Sequence, residues 1–160
     1  MEIRVGHGYD LHRLEPVRDG ASQMIIAGVA IDCSVAPIAH SDGDAVLHAV
    51  ADAILSAVGD PDLGTLFPDT DPENENRDSR EFLAEAIDRA SEGGWAIGNV
   101  DITVLCDEPN ISLHKEQICG SLRKLMAAPV NIKGKTHEGT SRSGAIEVHV
   151  VALVQRGQHS

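Results

Sequence analysis

Ile3 and Val5 alternate with Glu2 and Arg4 at the start of the chain, the period of a half-buried strand. Met24 to Ile31 reads as a second strand rich in branched residues, expected to pair with the first across a loop over 15–22. Ser41 or Asp42 is placed to cap a helix that runs to about Val58 and stops at Gly59. Leu47, Val50, Ile54 and Val58 form its apolar stripe, and Asp44, His48 and Asp52 form a polar row at i, i+4 spacing. Residues 61–77 are crowded with Pro, Asp, Asn and Gly, the chemistry of a functional loop. Asp78 with Glu81 reads as a capping box for a structural helix that turns Phe82, Leu83, Ala86, Ile87 and Ala90 inward and ends at Gly93-Gly94. A strand through Val100, Ile102 and Val104 follows, ended by Pro109, and then a helix from about His114 to Met126. Val130 to Thr136 and Ile146 to Gln155 close the pattern as two strands around a polar turn, Gly139 to Gly144. The order predicts an α+β fold, a mixed β-sheet with helices packed on it, as a single domain over residues 1–160.

Composition narrows the class. With 160 residues, 42% of them hydrophobic, the chain can bury a real core. Its only aromatic residues are Tyr9, Phe67, Phe82 and Trp95, so that core must be Val, Ile, Leu and Ala, and oligomerisation would add burial. A formal charge of −12 argues against nucleic acid as a partner, since such binding rests on Lys and Arg neutralising phosphates. An acidic protein can still take a phosphorylated substrate if divalent cations supply the positive charge. Cys33, Cys106 and Cys119 form no Cys-x-x-Cys pair, which fits a reducing cytoplasm. No apolar run approaches the roughly 20 residues that span a bilayer, and no targeting sequence is expected.

Candidate chemistry sits in four places, each with an ordinary alternative. Asp10 and His12 on an extended stretch point to the same side, and His48 from a helix beside them would complete a three-ligand metal set with an open position. Spacing alone also fits a surface polar pair and a solvated helix face. Asp44 and Asp52 are candidates to accept the other ring N–H of a metal-bound His48. His40 and Ser41 precede a helix start that suits phosphate, or else Ser41 simply caps it. Residues 67–71 read as a binding loop or an Asp-rich turn, and Lys133 to Glu138 as a phosphate and hard-cation site or a polar strand end.

Read together, Gly-His-Gly-Tyr-Asp-Leu-His at 6–12, Ala-His-Ser-Asp-Gly-Asp at 39–44 with Leu47-His48-Ala49, Leu-Phe-Pro-Asp-Thr-Asp at 66–71, Asp78-Ser79-Arg80 and Gly98-Asn99-Val100-Asp101 resemble the 2-C-methyl-D-erythritol 2,4-cyclodiphosphate synthase family of the non-mevalonate isoprenoid pathway. The resemblance spans nearly the whole chain. It implies a homotrimer with active sites between subunits, cyclising 4-diphosphocytidyl-2-C-methyl-D-erythritol 2-phosphate with release of CMP. It assigns Asp10, His12 and His48 to one zinc ion (Zn2+) per subunit, and Glu138 to Mg2+ or Mn2+ bound with the substrate diphosphate. It gives His40 and Thr136 the transition state and Ser41 a phosphate contact. Asp62, Leu63 and Gly64 with Phe67, Pro68, Asp69, Thr70 and Asp71 would surround the methylerythritol unit. Cys106, Asp107, Glu108, Pro109, Asn110, Ile111 and Ser112 with Lys135, Thr136, His137 and Glu138 would hold the cytidine diphosphate. The turn at 139–144 is shorter than the family's common form and lacks the Phe and Glu that line the trimer's central cavity, while Arg142 is expected to keep a phosphate or subunit contact.

Overall fold

Two glycines decide how the halves of the fold meet. In strand β1 (Glu2–Pro16) the even-numbered residues face helix α1 (Ala45–Val58). A Cβ at Gly6 would lie 2.0 Å from the Ala53 carbonyl oxygen, and one at Gly8 would lie 1.9 Å from that of Ala49. Backbone therefore packs on backbone. The helix matches this with a row of small residues, Ala45, Ala49, Ala53 and Ala57, all buried. The computed structural model describes residues 1–18, 20–39, 41–68, 70–74 and 77–157.

Beside β1 lie β4 (Val35–Pro37), β5 (Ala96–Cys106), β6 (Val130–Lys135) and β7 (Ala145–Arg156), in the spatial order β4-β1-β7-β5-β6. Among the described strands only β5 and β6 pair in parallel, and helix α4 (Lys115–Met126) lies in the crossover a parallel pair requires. The sheet is thus mixed and the fold α+β, as the sequence predicts. Val100, Ile102, Val104, Ile132, Val148 and Val150 are buried in the same core as α1, α4 and helix α3 (Ser79–Glu92). On the odd-numbered side of β1 and β7 no described helix covers the sheet: Ile3, Val5, Tyr9, Leu11 and Val151 remain 42–63% exposed.

The expected pairing of Met24–Ile31 with the first strand is not what forms. That stretch splits into β2 (Ser22–Ile26) and β3 (Val29–Cys33), paired with each other, while β1 pairs with β7 over its length. Ala27 (φ 53°) and Gly28 (φ 73°) make the break, both left-handed as a tight two-residue hairpin turn requires. Alternation of residue type cannot register such a turn when its first residue is Ala.

Capping also differs from the expectation. Asp44, not Ser41 or Asp42, caps α1, and its carboxylate accepts from Leu47 N at 3.0 Å. The same fully buried carboxylate accepts from Ala27 N at 2.9 Å and Gly28 N at 2.6 Å, tying the hairpin turn to the helix. Burial pushes its pKa up to about 6 against the pull of those three amides. We expect Asp44→Ala to cost about 3 kcal/mol in urea unfolding, one cap plus two orphaned N–H groups, one buried and one partly buried. At α3, Asp78 is the cap, but Glu81 pairs with Arg77 at 2.8 Å instead of closing a box. Residues 61–77 are less irregular than expected: a short helix α2 (Leu63–Leu66), capped by Asp62, and a 3-10 turn, Pro72–Asn74, lie within them.

Candidate active site

Because α1 rests directly on Gly6 and Gly8, its His48 comes down beside Asp10 and His12, two and four residues beyond Gly8 on the same face of β1. Asp10 Oδ2 lies 3.2 Å from His12 Nε2 and 3.3 Å from His48 Nδ1. One ligand atom from each residue falls within 4.8 Å of the others. Asp10 Oδ2 is buried, yet its alignment with neither ring makes a hydrogen bond. Three donor atoms that converge without satisfying one another are what a shared cation would resolve.

The far side of His48 supports the same conclusion. Its Nε2 lies 2.8 Å from Ser79 Oγ, and Ser79 Oγ makes a short contact with Asp42 Oδ1. A carboxylate only accepts, so the single hydroxyl proton of Ser79 goes to Asp42 and Ser79 Oγ must accept from His48 Nε2–H. In the neutral ring that leaves Nδ1 a bare lone pair facing the Asp10 carboxylate, an arrangement that asks for a positive centre between them. Burial would raise the Asp10 pKa, but the two imidazoles outweigh it and hold the carboxyl well below the usual range. Burial would lower His12, but Asp10 outweighs it, aided by the Gly43 backbone, and His12 is raised.

The triad opens into a cleft of about 630 Å³ that also collects Ser41, Leu63, Gly64, Phe67, Thr70 and Asp71 from the predicted set. Phe82 forms part of its wall, 5.4 Å from the His48 ring and 4.9 Å from that of Phe67, so the first turn of α3 belongs to the site and is not merely structural. Arg77 covers Phe67, its guanidinium 4.9 Å from the ring centre. Asp62 is occupied as the cap of α2. Pro68 accepts through its carbonyl from Asn74 Nδ2 at 3.0 Å. His40 and Asp69 lie outside the described residues.

The remaining predicted residues gather elsewhere. Ile111, Ser112 and Lys135 line a smaller cleft of about 280 Å³ with Lys115 and Lys133. Thr136 Oγ1 donates to Glu138 Oε1 at 2.9 Å, and Glu138 holds a left-handed φ of 53°. Asp107 accepts from His137 N at 2.8 Å, and Glu108 accepts from Ser34 N at 2.6 Å and Ser34 Oγ at 2.7 Å, bracing the bend at Pro109. Asn110 caps the turn that starts at Ile111. Cys106 is buried and its thiol pushed up to about 12 by that burial, so it stays protonated. His137 is also buried; neither ring nitrogen is hydrogen-bonded, and Nδ1 lies 3.6 Å from Asp107 Oδ2. Arg142 bonds both oxygens of the buried Glu147, at 2.7 and 2.8 Å. In the sheet register Asp10 pairs with Val148, Val148 with Val104 and Val104 with Gly134. Three strand spacings therefore separate the triad from β6, about 14 Å. Within one chain Thr136, Glu138 and Arg142 do not line the triad's cleft.

Residues 3–155 match the model of the YgbB family. The chloroplastic 2-C-methyl-D-erythritol 2,4-cyclodiphosphate synthase of Arabidopsis thaliana is 44% identical over 162 residues, 98% of this chain and 68% of the relative. The synthase of Aquifex aeolicus is 44% identical over 159 residues, covering 97% of this chain and 99% of its own. A solved synthase structure, described as its CDP-bound form, superposes with a TM-score of 0.87 at 36% identity, over 95% of this chain and all of that one. The chain belongs to the YgbB family of 2-C-methyl-D-erythritol 2,4-cyclodiphosphate synthases.

Two corrections follow within this synthase family member. Neither Asp44 nor Asp52 meets the outer nitrogen of His48: Asp44 is spent on three amides, and Asp52 accepts from Leu63 N at 2.8 Å to anchor α2. Their i, i+4 spacing sets them on the His48 side of α1 but not at its ring tip. The partners are Ser79 and Asp42, and the signal for them was the Asp78-Ser79-Arg80 motif, which capping alone had accounted for. No described helix is long and apolar enough to cross a membrane.

Proposed function

We propose that the chain, as a single synthase domain over residues 1–160, cyclises 4-diphosphocytidyl-2-C-methyl-D-erythritol 2-phosphate to 2-C-methyl-D-erythritol 2,4-cyclodiphosphate. The observation that carries this reading is the converging Asp10, His12 and His48 set at the base of the cleft, in a chain of this family. An oxygen of the 2-phosphate attacks the β-phosphorus, the bond from that phosphorus to the bridging oxygen of CMP breaks, and CMP departs with the electron pair. The nucleophile and the leaving group belong to one substrate, so the protein's task is to fold it and to meet charge on the diphosphate.

Two nitrogens and one carboxylate oxygen suit zinc with a position left for substrate. Zinc, when bound, supplies Lewis-acid polarisation of a phosphoryl oxygen. Leu63, Gly64, Phe67, Thr70 and Asp71 enclose the sugar-derived part, with Asp62, Pro68 and Asp69 shaping the same loop, and Ser41 contacts a phosphate. Cys106 to Ser112 with Lys135 and His137 hold the cytidine diphosphate, a ligand class supported by the CDP-bound form of a solved relative. Glu138 takes Mg2+ or Mn2+, and His40 and Thr136 meet the transition state.

The two clusters lie about three strand spacings apart in one chain. A neighbouring subunit would bring a second cluster to each triad. The uncovered face of Ile3, Val5, Tyr9, Leu11 and Val151 supports a homotrimer closed around it. We place the enzyme in the cytoplasm, where its three buried cysteines remain thiols. Incubation with the diphosphocytidyl substrate, zinc and Mg2+ is expected to release CMP and the cyclic diphosphate, read by mass spectrometry. A product heavier by one water would instead identify a hydrolase.

A further inference from the structure

Asp78-Ser79-Arg80 stands out in the sequence, yet the cyclisation uses none of its side chains. Ser79 is completely buried at the first position of α3, 31 residues from His48. Its backbone N–H donates to Asp42 Oδ2 at 3.1 Å and its hydroxyl donates to Asp42 Oδ1. Asp42 is fixed in turn by Asp44 N, which donates to its Oδ1 at 3.1 Å. Ser79 Oγ turns an acceptor lone pair to His48 Nε2 at 2.8 Å, and Ser41 Oγ is a more distant neighbour of the same nitrogen at 3.4 Å.

We propose that Asp42 and Ser79 form a relay that fixes the ring orientation and tautomer of His48, and so are positioning residues for the metal centre. The proposal rests on the metal-centre reading above and adds to it the groups that aim one ligand. A helix-borne imidazole can rotate about two side-chain bonds and can carry its proton on either nitrogen. Accepting the Nε2 proton at Ser79 removes both freedoms and leaves Nδ1 free to ligate. A serine between the ring and the carboxylate keeps the carboxylate's charge one group away from the ring while retaining its pull as acceptor. The relay also joins three segments: the turn before α1, α1 itself and the start of α3.

Zinc affinity of the whole protein, measured by competition with a chromophoric chelator, tests this without an activity assay. Ser79→Ala is expected to weaken zinc binding roughly 10–100-fold, the range for loss of a group that orients a ligand. Asp42→Ala should weaken it comparably, and the double variant should bind no more than about threefold more weakly than Ser79→Ala, because both act through one hydrogen-bond chain. Zinc affinity of Ser79→Ala within about twofold of the parent, or fully additive losses, would overturn the relay. A parent chain that binds no zinc would instead remove the metal-centre reading beneath it. Proton NMR of the zinc-loaded parent needs no variant: the His48 Nε2–H should be sheltered from solvent exchange. A proton that exchanges as fast as that of an exposed imidazole overturns the proposal, whether or not the variants fold.

Discussion

Asp10→Ala is expected to reduce CMP release about a thousandfold, equivalent to about 4 kcal/mol of lost Lewis-acid stabilisation. The same variant should lose tightly held zinc while keeping its fold. Asp10 is the one anionic member of the trio and lies 3.2 Å from His12 and 3.3 Å from His48, so its removal takes away the carboxylate both imidazoles face. Among the described residues, the one conventional hydrogen bond it would lose is from Leu11 N to its Oδ1, at 2.9 Å. Metal analysis, circular dichroism and a CMP-release assay on one preparation separate the outcomes. A folded Asp10→Ala protein with parental zinc content and turnover would end the proposed role of the triad.

Gly8→Ala is expected to be, with Gly6→Ala, among the most damaging single-methyl changes in the chain. The added Cβ would fall 1.9 Å from the Ala49 carbonyl oxygen and 2.7 Å from Ala53 N, both backbone atoms with no side-chain torsion to relieve them. Helix α1 or strand β1 must move as a whole, at a cost of about 3 kcal/mol or more, the upper end of overpacking effects. Moving α1 also carries His48 away from Asp10 and His12, so zinc affinity should fall along with stability. Gly120 is the internal control. It lies in α4, and a Cβ there meets nothing within 4 Å. Gly120→Ala should therefore stabilise by about 0.5–1 kcal/mol, the helix-propensity gain. Urea unfolding of the two variants gives opposite signs if the packing argument holds. A Gly8→Ala midpoint equal to the parent's would refute it.

Much of the site was legible because it is written in short-range spacing. Asp10 and His12 share a face of an extended strand by period alone, and His48 sits on a helix whose end at Gly59 was visible. Element types were legible for the same reason. Pairings were not: β1 and β7 meet from opposite ends of the chain, so nothing near either strand encodes the partner. The cap of α1 was misplaced because Asp42, Ser41 and Asp44 are equally good capping residues by type. Which one caps depends on the hairpin turn at Ala27 and Gly28 that claims Asp44 from 16 and 17 residues away.

The amino-acid sequence by itself determined the α+β class, the candidate metal-ligating trio and the family resemblance, since these rest on residue identity at fixed local spacing. Only the tertiary structure decided which residues serve those ligands. Gly6 and Gly8 acquire meaning when a helix packs on them, and Ser79 becomes a partner of His48 only when α3 is placed beside α1. The same holds for the separation of Glu138 from Asp10 and for the uncovered apolar face of the sheet. Packing brings together residues that are distant in sequence, and it selects, among side chains of equal local propensity, the one with a partner to satisfy.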